Sequence, residues 1–146
     1  MTTVTPFLWF DNQAEEAAKF YISVFNNAKI ISLNPMFVEM EIEGQRLQLL
    51  NGGPVYKFNE AISLFVNVET QEDVDRLWGK LIEGGSEGEC GWLKDKYGLS
   101  WQIVPHKLRE LLFDSDKVKA GRVMQAMLKM KKIIISDLQK AYDADN

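Results

Sequence analysis

The chain has 146 residues, 46% hydrophobic and 11% aromatic, enough to bury a core in one domain or in two tightly joined halves. Its formal charge is −4, and its densest basic stretch is only Lys129, Lys131 and Lys132, which argues against nucleic acid or an anionic membrane as partner. No apolar run approaches the roughly 18 residues of a membrane span, Met1–Phe10 lacks the pattern of a signal peptide, and the single cysteine, Cys90, leaves no intrachain disulfide; the expectation is a cytoplasmic, reduced protein.

Val4–Phe10 is apolar and aromatic and reads as a strand. Asn12, with Glu15 three residues on, predicts a capping box opening a helix to about Phe25, with Ala14, Ala17, Ala18, Tyr21, Val24 and Phe25 at helical spacing. Asn26 and Asn27 stop it. Lys29–Leu33, Phe37–Ile42 and Arg46–Leu50 follow as strands, with a turn at Gly44. Asn51-Gly-Gly-Pro54 closes this first set. The order then repeats. Ala61–Val68 is a strand, and Thr70 caps a helix whose apolar face is Val74, Leu77, Trp78 and Leu81. Gly84 and Gly85 end that helix, and Ser86–Glu89, Gly91–Lys94 and Leu99–Val104 are strands. The two sets lie about 55 residues apart, a repeat of element order rather than of residues. The tail predicts helices at Leu108–Phe113 and Val118–Met130, and a last one opened by a Ser136/Gln139 capping box. Its Met124, Met127 and Met130 suit plain packing or a self-association surface.

Three stretches carry a resemblance. Thr5-Pro-Phe-Leu-Trp-Phe with Ala14-Glu-Glu-Ala-Ala and Phe20-Tyr21, then Ala61-Ile-Ser-Leu-Phe-Val with Asp73-Val-Asp-Arg-Leu-Trp, then Gly91-Trp-Leu-Lys-Asp-Lys-Tyr-Gly-Leu-Ser-Trp-Gln-Ile-Val-Pro105, resemble the PhnB-like branch of the vicinal oxygen chelate superfamily. Members of that branch often carry the label demethylubiquinone 3-methyltransferase domain. The tail, Ala126-Met-Leu-Lys-Met-Lys-Lys-Ile with Leu138 and Ala141-Tyr142, is similar to the branch's ending. The resemblance implies an α+β chain of paired βαβββ modules, the glyoxalase/bleomycin resistance/dihydroxybiphenyl dioxygenase-like fold, with a helical C-terminal tail. It covers residues 1–146 as one such domain, with modules at 4–54 and 59–105 and the tail at 106–146, and it implies a homodimer. Relatives include glyoxalase I, extradiol dioxygenases and fosfomycin or bleomycin resistance proteins.

Metal-using relatives place four His, Glu or Gln ligands on strands of both modules. Carried over position by position, these fall on Thr5 or Pro6, on Gln48, on Ala61 (Glu60 beside it) and on Gln102. Two neutral amides and at most one carboxylate make a poor cage for a divalent ion, so no metal and no cofactor is expected. Strand alternation puts Arg46, Gln48 and Leu50 on one face, and Ser100, Gln102 and Val104 on another. The glutamines could orient a polar ligand by hydrogen bonds. Trp9, Trp92 and Trp101 could wall an apolar pocket, whereas Trp78 reads as core. The candidate ligand-binding set is Gln48, Gln102, Trp101, Trp9, Arg46 and Ser100; no catalytic residue is assigned. Glu39 and Glu41 share a strand face, which suits an acid–base pair or simply a wet surface. Gly84-Gly-Ser-Glu-Gly-Glu-Cys-Gly91 follows a helix and carries acidic residues, so it reads as a connection rather than a cofactor loop. Residues alone give the methyltransferase label no support. The expected function is binding of a small molecule of unknown identity in an inter-module or dimer-interface cavity. The alternatives are an enzyme of unassigned chemistry and an interaction protein with a filled cavity.

Overall fold

In the computed structural model, which describes residues 1–145, the chain divides into two compact units, Met1–Phe58 and the residues from Asn59 onward. The first runs β1 (Phe7–Phe10), α1 (Ala14–Val24), β2 (Ala28–Leu33), β3 (Phe37–Ile42) and β4 (Gln45–Asn51). Its sheet has the order β1-β4-β3-β2, with β1 parallel to β4 and the other neighbours antiparallel. Side-chain alternation sets the faces. Leu8, Phe10, Val38, Met40, Leu47 and Leu49 are buried, as are Ala14, Ala17, Ala18, Tyr21 and Val24 of α1. The three alanines let the helix lie close on the sheet, and each fully buried leucine or valine contributes about 1.5–3 kcal/mol. Glu43 and Gly44 both have positive φ, 47° and 85°, the two-residue turn that matches strand twist. The Glu43 carboxylate accepts from the backbone and side-chain nitrogens of Asn27, which helps hold a non-glycine residue there.

The second unit repeats the plan: β5 (Leu64–Val68), α2 (Gln71–Leu81), β6 (Ser86–Glu87), β7 (Trp92–Lys94) and β8 (Ser100–Pro105), in the order β5-β8-β7-β6 with β5 parallel to β8. Helices α3 (His106–Leu112), α4 (Lys117–Met127) and α5 (Ile135–Asp143) follow. Leu108, Leu111, Val123, Ile133 and Leu138 join Val104 of β8 in one apolar cluster, with Met127 and Met130 against it. The fold is therefore the paired βαβββ arrangement with a helical tail that the element order and the resemblance imply.

Local readings differ in instructive places. The first strand begins at Phe7 rather than Val4, and β5 begins at Leu64 rather than Ala61. Thr70 caps α2 as expected, its Oγ1 accepting from Asp73 N at 3.1 Å. The two capping boxes do not form. Helix α1 starts after Gln13, and its first amide, Ala14 N, donates to Asn51 Oδ1 of β4 at 2.8 Å. Helix α5 starts after Ile134, and Ile135 N donates to Gln71 Oε1 at 2.7 Å. In both cases a side chain brought near by the tertiary fold satisfies the orphan amide that the local pattern would have satisfied from within.

Candidate ligand-binding faces

In the first sheet, cross-strand register builds rows on the face opposite α1. Phe7, Gln48 and Glu39 are aligned, as are Trp9, Leu50 and Phe37, and Arg46 with Glu41 and Lys29. Arg46, Gln48 and Leu50 share this face as alternation predicts. Arg46 is engaged: its Nη1 lies 2.8 Å from Glu39 Oε1 and its Nε 4.0 Å from Glu41 Oε2. Lys29 Nζ lies 3.9 Å from Glu41, and Ser32 donates to Glu39 at 3.3 Å. The acidic pair is thus balanced by two cations in a half-exposed network, which makes it a structured polar surface. Trp9 is tied down, its Nε1 donating to Gly53 O at 2.9 Å and its ring meeting Tyr56 edge-on. Gly52 lies against that indole, where a Cβ would come within 2.3 Å of Trp9 Cε2.

In the second sheet, Phe65, Gln102 and Trp92 form one row, and Ser100 and Lys94 with Ser86 another. Gln102 Nε2 donates to Ser63 Oγ at 3.0 Å. Trp101 lies on the opposite face of β8, 2% exposed, with Nε1 donating to Asp95 Oδ2 at 2.9 Å. Asp95 Oδ1 also accepts from Tyr97 N and Leu99 N, so this carboxylate organises the β7–β8 turn and locks the indole under it. The structure thus groups Gln102 and Ser100, groups Gln48, Arg46 and Trp9 separately, and puts Trp101 in the core. The odd–even alternation of β8 already separates Trp101 from Gln102.

A groove of about 560 Å³, within the size range of small-molecule sites, opens on the second unit. Its lining includes Ser86, Glu89, Cys90, Trp92, Lys94 and Ser100. Lys94 pairs with Glu60 at the rim, and this hydrogen bond holds the Glu60 carboxyl below its ordinary pKa. Ser100 is fully buried, and its Oγ has no hydrogen-bond partner among the described residues. A hydroxyl in that state costs about 1–3 kcal/mol.

The register also repeats at residue level, which the sequence alone did not reveal. Phe7 stands beside Gln48 on the parallel pair β1/β4, and Phe65 beside Gln102 on β5/β8. Both rings are about half exposed, at 56% and 51%. The first and third ligand positions of metal-using relatives carry over to Thr5 or Pro6 and to Ala61, whereas the residues paired with Gln48 and Gln102 in the parallel ladders are phenylalanines. Two neutral amides beside two phenyl rings do not fit a divalent cation. Among the described residues, no three His, Cys, Asp or Glu side chains converge as a metal site. His106 is exposed at the start of α3. The glycine run 84–91 serves the β6–β7 hairpin: a Cβ on Gly85 would meet Lys94 O at 2.1 Å, and one on Gly88 would meet Trp92 O at 2.8 Å. Among the described residues, no helix is long and apolar enough to cross a membrane.

Two mixed four-stranded sheets, each a βαβββ module with a phenylalanine–glutamine pair on its one parallel strand pair, define a protein of the glyoxalase-like fold. The profile of the family described as 3-demethylubiquinone-9 3-methyltransferase matches residues 2–104, and the chain belongs to that family. A PhnB protein from Bacillus cereus is similar at 30% identity and TM-score 0.67, over 71% of this chain and 99% of its own. A Pseudomonas aeruginosa protein is 20% identical with TM-score 0.59, over 72% of this chain and 98% of its own. A glyoxalase-related enzyme from Fulvimarina pelagi is 18% identical with TM-score 0.53, over 72% and 88%, a likeness of fold. No curated protein matches the chain. The family profile stops before the tail, so the likeness read in Ala126–Tyr142 lies outside it.

Proposed function

We propose that the protein binds a small polar aromatic molecule in the groove of the second unit, using Trp92 for ring contact and, for a hydrogen bond, the Ser100 hydroxyl, which is closed off in the free chain and is reached once the lining shifts. The observation that carries this reading is the Ser100 hydroxyl, buried and unpartnered on the groove lining. Natural cores rarely keep such a group without a use for it. Phe65 beside Gln102 and Phe7 beside Gln48 offer the same combination of ring and amide, so the first unit supplies a second surface of this type. Binding of this kind needs shape and a few directed polar groups, and no metal. The methyl transfer in the family's description stays with the family. The reading extends to a cytoplasmic homodimer, supported by the exposed large apolar side chains of both units, Leu33, Met36, Phe65 and Phe113 among them; a single-chain mass by light scattering at micromolar concentration would refute the dimer. The binding itself is tested by an NMR screen of polar aromatic fragments against the ¹⁵N-labelled protein. Shifts should cluster at Ser100, Gln102 and the Trp92 indole. Hits that cluster elsewhere, or none at millimolar concentration, overturn the reading.

A further inference from the structure

The family profile ends at residue 104, and the Bacillus cereus relative is matched almost completely by 71% of this chain. More than a quarter of the chain therefore has no counterpart there, and the tail lies beyond the family profile. The tail nevertheless makes its most directed contacts on the groove wall. Cys90 N donates to Met130 O and Gly91 N to Lys131 O, both at 2.8 Å. The Cys90 thiol lies 3.5 Å from Met127 O. Cys90 and Gly91 both have positive φ, 55° and 87°. For cysteine this backbone is strained, and such a residue persists only where its surroundings over-determine it. Gly91 O in turn accepts from Ile103 N of β8 at 2.9 Å. The peptide units between Glu89 and Trp92 are thus clamped between a sheet strand and the tail.

The clamp is anchored on its far side. Ile133 is fully buried, and a Cβ added at Gly91 would approach its Cγ1 to 3.2 Å. Gln71, in the first turn of α2, donates to Ile133 O at 3.0 Å and accepts from Ile135 N at 2.7 Å. Lys132 pairs with Asp75 at 2.8 Å. Residues 130–135 are consequently pinned between α2 and the segment leading into β7. Glu89, Cys90 and Trp92 line the groove, whereas Gln71 and the tail residues do not.

We propose that the C-terminal tail is a brace that sets the shape of the groove wall, with Gln71 as the positioning residue that latches it; its value for binding rests on the reading of the groove given above. Wall and tail then open as one unit. In the ligand-free wild-type chain, the amides of Cys90 and Gly91 should exchange with deuterium with the same urea dependence as Leu138 in α5. In Gln71→Ala, exchange at Cys90, Gly91 and Leu138 should accelerate together by at least about tenfold, while β4 amides keep their rates. With 5-fluorotryptophan incorporated, the ¹⁹F line of Trp92, assigned through Trp92→Phe, should move in Gln71→Ala, and that of Trp9 should not. Cys90 and Gly91 opening independently of Leu138 in the wild type would overturn the brace. So would a Gln71→Ala chain in which Leu138 is freed and the wall is unchanged. The rates are read without ligand, so a groove that binds nothing would refute the binding reading and leave them untouched.

Discussion

Ser100→Ala should make the ligand-free protein more stable. The serine sits in β8 between Leu99 and Trp101, each at most 2% exposed, and is itself fully buried. Its Oγ has lost water without gaining a partner, a cost of about 1–3 kcal/mol. Alanine removes that cost and gives up only the contacts of one oxygen, a few tenths of a kcal/mol each way. The expected net gain is about 1 kcal/mol, or about 3 °C in Tm for a chain of this length. Urea unfolding followed by tryptophan fluorescence measures it directly. If Ser100 is a binding group, the same substitution should weaken the fragments found by NMR by about fivefold to thirtyfold, because their polar group loses its partner. A loss of stability of about 0.5 kcal/mol or more would show that the hydroxyl is satisfied in the free chain, and the argument for the groove would lose its support.

Other substitutions test the scaffold. Gly52→Ala should cost about 1–3 kcal/mol of stability by urea titration, since the new methyl meets the tethered Trp9 ring. Asn51→Ala should cost about 1 kcal/mol, the price of a lost helix cap, and should raise hydrogen exchange in the first turn of α1. The Asp75 carboxyl is held below its ordinary pKa, first by the hydrogen bond from Lys132 and then by that from Gln71. Its stabilisation is therefore present above the unfolded value of about 3.9 and is lost as pH falls through the lower folded value. Urea midpoints should fall over that acidic range in the wild type, and less steeply in Asp75→Asn.

Much of this architecture was legible in the residues. Period-two alternation placed Gln48 with Arg46, and Gln102 with Ser100, and Gly44 marked the β3–β4 turn. What was not legible depended on register and on long-range contacts. The apolar pattern extends β1 back to Val4 and β5 back to Ala61, whereas the ladders begin at Phe7 and Leu64, and this hides the Phe7–Gln48 and Phe65–Gln102 neighbours. Trp101 enters the candidate set as a strand tryptophan, although its place next to Gln102 on β8 turns it to the opposite face. The role of Asp95 is not legible in the sequence because only the folded turn brings its carboxylate to the indole nitrogen. The groove wall was read as a plain connection, and only the tail's carbonyls reveal how it is held.

The two borrowed caps bear on the order in which the chain can fold as it is made. Helix α1 leaves the ribosome 37 residues before the asparagine that completes its first turn, and Gln71 waits 64 residues for the amide it serves. A short helix with an open end is marginal by itself, so the first unit should become protease-resistant only once Asn51 is clear of the exit tunnel. The second unit should gain its resistance in one late step, when Ile135 arrives. Between those two moments the nascent chain carries a second unit that its tail has not yet covered, which makes that interval the one in which it would most need a chaperone.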